Sequence, residues 1–192
     1  MGARYFKYCI RQSLLIGCHI FRGRDMIFIG LGANLMHPNY GEPIKTVTAA
    51  VRALDEAGLK VIRRSTWYKS APVPMSDQPW FVNGVAEVET DKSAEDVLRI
   101  LHEVEREFGR IREIKWEARV LDLDLIDYHG QSSDNKTQSS GGVFPHPHMH
   151  ERAFVLVPLQ ELVADWRHPI LKKTISELLT RMDIQQLQPI LE

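Results

Sequence analysis

Residues 119–126 have the sequence Arg119-Val120-Leu121-Asp122-Leu123-Asp124-Leu125-Ile126, in which apolar and acidic side chains alternate. Alternation is typical of a strand, so the leucines are predicted on one face, and Asp122 and Asp124 on the other with Cα atoms ~7 Å apart. Paired carboxylates suit magnesium, which completes its shell with water and substrate phosphate oxygens. An amphipathic strand whose outer face carries two acids fits the same residues. The surrounding sequence must decide between the two interpretations.

The composition indicates one globular domain and excludes several function classes. The chain has 192 residues, of which 44% are hydrophobic and 26% charged, enough for one substantial core. Its formal net charge of −1 lacks the basic excess of proteins that bind nucleic acid or anionic membranes, so neither partner is expected. Cys9 and Cys18 cannot form a disulfide framework for the main body, which suits a reducing cytoplasm. No apolar stretch is long enough to span a bilayer.

Two segments differ from the rest of the chain. Residues 1–25 carry four arginines and one lysine but a single acid, Asp25, and they lack a clear helix or strand period. We interpret them as a poorly ordered extension before a single domain at 26–192. A transit peptide is the alternative, and a secretory signal is disfavoured because no small-residue cleavage site follows the apolar stretch. Residues 130–142 are rich in serine, glutamine and glycine, which predicts a flexible insertion.

The apolar spacing predicts strands and helices in the order βαββαβ. The apolar run 26–29 predicts a first strand that leaves its sheet through a glycine turn at 30–34. The other predicted elements are a helix at 40–58, strands at 59–68 and 81–90, a Ser93-capped helix ending at Gly109, the carboxylate strand, and a terminal helix at 174–182. This order indicates an α+β plait with a largely antiparallel sheet, helices on one face and the other face free for a ligand. The proline-rich segment 71–79 is predicted to stand away from the sheet as a ligand loop or lid.

Cations precede the two aspartates, and histidines follow them. Arg110, Arg112 and Arg119 form the first group together with Lys115 and Trp116, and guanidinium forks match phosphate oxygens. A solvated charged loop is the alternative for each of these residues. His146, His148 and His150 raise the possibility of zinc, but the neighbouring prolines predict an extended segment, no cysteine accompanies them, and a zinc site is disfavoured.

Several motifs occur in a fixed order between Met26 and about Pro169. They are Gly32-Ala33-Asn34-Leu35, Asp77-Gln78-Pro79-Trp80-Phe81-Val82-Asn83, Gly109-Arg110-Ile111-Arg112, Trp116 to Asp124, and Pro145-His146 through Arg152-Ala153-Phe154-Val155-Leu156. Together they resemble the 6-hydroxymethyl-7,8-dihydropterin pyrophosphokinases, folate-pathway enzymes that transfer a diphosphate from ATP to a pterin alcohol. The resemblance implies a ferredoxin-like fold, small-molecule substrates and a monomer.

The resemblance also implies roles for individual residues. Asp122 and Asp124 would hold two magnesium ions on the ATP triphosphate, and Asp122 would also lie against the substrate. Seven residues would contact the nucleotide, with the arginines and His146 at its phosphates and Glu105 on the adenosine side. They are Glu105, Arg110, Arg112, Trp116, Arg119, His146 and Arg152. Phe81 and Phe154 would enclose the pterin ring, and Asn83 would bind its polar edge. Arg110, Arg119 and the two aspartates would carry the catalysis, with Asp124 the better candidate for removing the hydroxyl proton.

Two departures from the family pattern affect loops. Glu117-Ala118 stands where the family usually has Gly-Pro, and the segment between the arginines and the tryptophan is one residue shorter. Pro74 replaces a common glycine and stiffens the loop at 71–79. The position of Arg112 depends most on these changes.

Two other functions fit parts of the same sequence. A four-stranded plait can bind RNA through exposed aromatic side chains, but two carboxylates on the binding face argue against it. A hydrolase that uses two carboxylates and no nucleotide is the second alternative. Acids two residues apart on one strand favour shared metal ions instead.

Overall fold

A computed structural model describes residues 26–109, 118–133, 143–180, 182 and 186–191. The predicted extension 1–25 and residues 134–142 of the predicted insertion lie outside this range, as do Arg110, Arg112 and Trp116. Ser133, within the insertion, lies beside Phe144, which follows the insertion: the Ser133 amide donates to the Phe144 carbonyl at 2.8 Å.

The sheet is antiparallel at every strand pair of the described residues. Its strands are β1 (Ile27–Ala33), β2 (Lys60–Arg64), β3 (Tyr68–Ser70), β4 (Phe81–Glu89), β5 (Asp122–Tyr128) and β6 (Leu187–Pro189). They run in the order β5-β1-β4-β3-β6, and β2 pairs with the other end of β4. The prediction of a mixed fold with a largely antiparallel sheet is confirmed, although the strand predicted at 59–68 is divided into β2 and β3.

Local sequence signals explain where the helices begin and end. They are α1 (Pro43–Glu56), α2 (Ala94–Glu107), α3 (Ala153–Leu162) and α4 (Ile175–Leu179). Proline opens α1, and Gly58 follows it at φ +85°, a conformation that glycine adopts without strain. The Ser93 side chain caps α2 by accepting from the Asp96 amide, as predicted. The predicted terminal helix is confirmed in shorter form, with a capping box between Thr174 and Glu177.

The main core lies between one face of the sheet and helices α1 and α2. Alternate residues of the central strands point into it, including Ile29, Leu31, Leu123 and Leu125, and Trp67 packs against the same face. These side chains are at most 3% exposed. Their burial fixes which residues of each strand face the opposite side.

The prediction that helices cover only one face of the sheet is wrong. Part of the second face carries the apolar side chains of Phe28, Val85 and Ile126. Helix α3 packs on them through Leu156, and helix α4 through Ile175. The residues 145–154, predicted to be extended, instead form turns and a short 3₁₀ helix at Met149–Glu151 that leads into α3. The apolar residues of α3 are buried against the apolar part of the second face.

The glycine turn predicted after Ile29 is also wrong. The strand β1 continues to Ala33, with Gly30 paired to Asp124 and Gly32 paired to both Asp122 and Asn83. A Cβ atom on Gly32 would lie 3.0 Å from Asn83 Oδ1, and one on Gly30 would lie 3.1 Å from Ile126 Cδ1. A side chain at either position would therefore crowd its neighbours on the second face.

No helix in the described ranges is both long and apolar enough to cross a membrane.

Packing around Gly84 on β4 gives a test of the fold. A Cβ atom there would lie 2.6 Å from two ring carbons of buried Trp67, whereas a Cβ on Gly30 meets the flexible end of Ile126. We expect Gly84→Ala to lower the free energy of unfolding by about 1–3 kcal/mol, because a fully buried ring has little room to shift. The matched Gly30→Ala substitution should cost less in the same urea titration. An equal or larger loss for Gly30→Ala would contradict this account of the packing.

Buried His168 makes stability depend on pH. Its Nδ1 accepts from the amides of Ile170 and Leu171 at 3.2 Å, and burial, with His150 and Lys172 nearby, lowers its pKa from 6.5 to about 4. The unfolded chain therefore takes up a proton first as the pH falls. This contribution to stability is complete above pH 6.5 and is lost as the pH falls towards 4.

Unfolding titrations at several pH values can measure this effect. Asparagine can replace Nδ1 as an acceptor without titrating, so His168→Asn should make stability less dependent on pH between 6.5 and 4. The exposed His148→Asn substitution is the control and should keep the wild-type dependence. Identical pH profiles for wild type and His168→Asn would refute the role of His168.

Candidate active site

A cavity of about 220 Å³ opens on the second face of the sheet beside α3. Its floor comes from β1, β4 and β5, and its walls come from the loop 71–78, the segment before β5 and the first turn of α3. It brings together most of the described residues that the sequence singled out: Phe81, Asn83, Arg119, Asp122, Asp124, Arg152 and Phe154. The predicted ligand loop stands away from the sheet and lines this cavity, as expected.

The floor of the cavity is a row across three strands. Asp122 of β5, Gly32 of β1 and Asn83 of β4 are direct neighbours in the antiparallel register. Asp124 lies opposite Gly30 in the next row on the same face. Because both central positions lack a side chain, the space between the carboxylates and Asn83 stays open. The shared face predicted for the two aspartates is present.

Each carboxylate has an arginine beside it. Arg119 Nη1 contacts Asp122 Oδ2, and Arg152 Nη1 lies 4.0 Å from Asp124 Oδ2. The side chains are 16–31% exposed, so these charges interact in a medium less polar than water. Burial lowers the pKa of Arg152, with the two aspartates acting in the opposite direction. The group thus combines two anions and two cations at one cavity wall.

The donor set fits magnesium. Two carboxylates reach the cavity from one strand, and the glycines opposite them leave room for hydrated ions and substrate oxygens. Within the described residues, no three histidine, cysteine, aspartate or glutamate side chains converge as a metal site. Magnesium commonly takes only one or two carboxylates from the protein.

Asn83 is fixed by a neighbour that the sequence did not reveal. Its Nδ2 donates to Ser70 Oγ at 2.9 Å, and both residues are buried. The remaining atom, Oδ1, lies above Gly32 on the cavity floor. Asn83 can therefore accept a hydrogen bond from a ligand at a fixed position. The strand alternation gave no signal for Ser70, because its contact crosses from β3 to β4.

The two predicted ring-binding phenylalanines come from different elements. Phe81 opens β4, and Phe154 lies in the first turn of α3. Both line the cavity and are half-buried. The Arg152 guanidinium lies 5.7 Å from the Phe154 ring centroid, which links this aromatic wall to the charged group.

Glu105 and His146 do not line the cavity. Glu105 is 1% exposed, and its Oε1 accepts from the amide of Leu123, the residue between the two aspartates. Its observed contact supports β5. Burial and the charge of Arg152 lower the pKa of His146 to about 4, so this imidazole is neutral near pH 7.

The family follows from comparison with known proteins. The model of the family described as 7,8-dihydro-6-hydroxymethylpterin-pyrophosphokinase (HPPK) matches residues 28–164. This chain belongs to the HPPK family. The matched range contains every described site residue named above.

Curated HPPK relatives cover most of the chain. The 2-amino-4-hydroxy-6-hydroxymethyldihydropteridine pyrophosphokinase of Synechocystis is 37% identical over 163 residues, which are 84% of this chain and 78% of the relative. The enzyme of the same name from Pseudomonas aeruginosa is 39% identical over 143 residues, 74% of this chain and 83% of the relative. Because these relatives are HPPK enzymes, this chain belongs to a family of pyrophosphokinases of folate biosynthesis.

Other similar proteins are longer. The folic acid synthesis protein fol1 of Pneumocystis carinii is 33% identical, and the match covers 87% of this chain but 21% of fol1. An HPPK-DHPS crystal structure from Plasmodium falciparum shares the fold with a TM-score of 0.60 and 12% identity, covering 82% of this chain and 43% of that one. This chain thus spans less than half of both proteins.

The contact between Ser70 and Asn83 leads to a test of ligand recognition. Ser70→Ala would remove the acceptor of Asn83 Nδ2, so the amide would no longer be held in one orientation. We expect weaker binding of a pterin in this HPPK, by about 1 kcal/mol or roughly fivefold in Kd. Isothermal titration calorimetry with 6-hydroxymethylpterin measures it.

The exposed Ser176→Ala substitution on α4 is the control and should leave the pterin Kd unchanged. An unchanged Kd for Ser70→Ala would show that Ser70 does not contribute to recognition.

Proposed function

We propose that this pyrophosphokinase transfers a diphosphate from ATP to the hydroxymethyl group of 6-hydroxymethyl-7,8-dihydropterin and releases AMP. The observation that supports this most is the composition of one cavity. It combines two aromatic side chains and a fixed amide at one end with two carboxylates and two arginines at the other. A flat polar ring and a polyphosphate are the ligands that these groups match.

The pterin would bind between Phe81 and Phe154, with Asn83 at its polar edge. A pterin carries N–H donors on that edge, and Asn83 Oδ1 is held where it can accept from them. The loop 71–78 closes one side of this space and would exclude water from the ring. The hydroxymethyl group would then point towards Asp122 and Asp124.

The ATP phosphates would bind at the charged end of the cavity. Arg119 and Arg152 would contact phosphate oxygens, and Arg110, Arg112, Trp116 and His146 would complete the nucleotide site. We propose that Asp122 and Asp124 hold two magnesium ions, which would neutralise the triphosphate when bound. Positioning and charge neutralisation are the main requirements of phosphoryl transfer.

The reaction requires one bond to form and one to break. The pterin hydroxyl oxygen attacks the β-phosphorus, and the bond from that phosphorus to the oxygen shared with the α-phosphorus breaks. AMP leaves with that oxygen, and Asp124 assists removal of the hydroxyl proton. The arginines stabilise the negative charge on the transferred diphosphate.

Three further features belong to this proposal. The strand order β5-β1-β4 with β2 and β3 beyond it supports a ferredoxin-like plait. A monomer in the cytoplasm as the working unit is part of the same proposal. Two carboxylates on one strand favour shared magnesium ions over a hydrolase in which two acids flank the bond that is cleaved.

An AMP release assay tests the proposed function. ATP and magnesium are supplied with and without 6-hydroxymethyl-7,8-dihydropterin, and the pterin product is followed by mass. Pterin-dependent AMP together with a pterin diphosphate is the expected result. AMP formed equally without pterin would indicate a hydrolase, and a folded protein that forms no AMP would refute the proposal.

The two aspartates are tested separately in this assay. Asp122→Asn and Asp124→Asn each remove a charge that would hold magnesium, and neither points into the main core. We expect turnover to fall by roughly 100-fold or more with little change in the unfolding curve. The exposed Asp165→Asn substitution serves as the control and should keep full turnover. Normal turnover in both site variants would refute the magnesium assignment.

A further inference from the structure

Asn34 connects three parts of the site without lining the cavity. It follows β1, is 2% exposed, and is absent from the cavity wall. Its side-chain amide donates to Gln78 Oε1 at 3.3 Å and to the Pro79 carbonyl at 3.2 Å. Its Oδ1 accepts from the Arg119 amide at 2.7 Å. One buried side chain thus joins the end of β1, the ligand loop and the segment before β5.

The backbone around Asn34 strengthens the connection to Arg119. The amides of Asn34 and Leu35 both donate to the Arg119 carbonyl, at 3.0 and 3.2 Å. Both backbone polar groups of Arg119 are therefore bonded to the Asn34 region, although Arg119 lies outside β5. The Arg119 side chain, by contrast, extends to Asp122.

We propose that Asn34 is a positioning residue that fixes the Arg119 guanidinium relative to the ligand loop. It acts through Arg119 at the phosphate end and through Gln78 and Pro79 at the ring end. An asparagine is suited to this position because it has one acceptor and two donors on a short side chain. A buried residue with this hydrogen-bonding pattern cannot be replaced by an apolar one without leaving polar partners unsatisfied. The inference rests on the proposed function for the roles of the two ends.

Hydrogen exchange tests the structural part of the proposal without any substrate. In ¹⁵N-labelled protein, the Arg119 amide should exchange slowly in the wild type and roughly tenfold or more faster in Asn34→Ala. Amides of β1 and β4 are internal references that should keep their protection. The exposed Asn39→Ala substitution in the same connection is the matched control. Unchanged Arg119 exchange in Asn34→Ala would overturn the proposal even if the enzyme is active.

A double-mutant cycle tests the functional part. Asn34→Ala should lower kcat by roughly tenfold and raise the KM for the pterin, since both ends lose their support. In an Arg119→Ala background the effect on kcat should nearly disappear, whereas the effect on KM should remain. A purely structural role would lower kcat by the same factor in both backgrounds, which would overturn the proposal.

If Asn34→Ala does not fold, a second variant tests the proposal. Asn34→Asp keeps the acceptor for the Arg119 amide and removes the donors to the ligand loop. It should retain slow exchange at Arg119 and a kcat within about threefold of wild type while the KM for the pterin rises. Fast exchange at Arg119 in this variant would contradict the proposal. If wild type releases no pterin-dependent AMP, the proposed function fails while the exchange experiment still decides the role of Asn34.

Discussion

Burial of one face of β1, β4 and β5 determines the position of every group on the opposite face. Ile29, Leu31, Leu123 and Leu125 point into the core under α1 and α2, and their strand neighbours must therefore point the other way. A slip of one residue in β5 would bury Asp122 and Asp124 in that core and expose the leucines. The hydrophobic effect thus fixes the carboxylates more firmly than any polar contact of the site, because several buried leucines oppose each alternative register.

The second face of the sheet serves two purposes, divided along the strands. Phe28, Val85 and Ile126 are covered by α3 and α4, whereas Gly30, Gly32 and Asn83 form an open floor. The boundary lies where α3 begins, so Arg152 and Phe154, on either side of Ala153, both reach the cavity. The helix that completes the second core therefore also supplies a cation and an aromatic ring to the site. A packing requirement and a binding requirement are met by the same segment.

The sequence predicted most elements and most of the described site residues, because both depend on patterns within short segments. The alternation at 121–125, the cap at Ser93 and the proline loop each carry a local signal. The glycines of β1 were misassigned because a turn and a strand position crowded by neighbouring side chains both favour glycine, and only the neighbours across the sheet distinguish them. Residues 153–159 are apolar throughout, so their periodicity gave no indication that they cover the second face. The contacts of Ser70, Asn34 and Glu105 join distant segments and have no counterpart in local sequence.

These long-range hydrogen bonds have a common arrangement. Glu105 holds the Leu123 amide, Asn34 holds the Arg119 amide, and Ser70 holds Asn83, so each buried polar side chain supports a residue at or beside the cavity. The apolar core sets the strand register and buries Leu121, but non-directional apolar packing does not fix the orientation of the Arg119 backbone or of the side-chain amide of Asn83. Hydrogen bonds from buried partners can do so, because an unsatisfied buried group costs more than a made bond gains. The core therefore determines which face the reactive groups occupy, and the buried polar residues determine their orientation on that face.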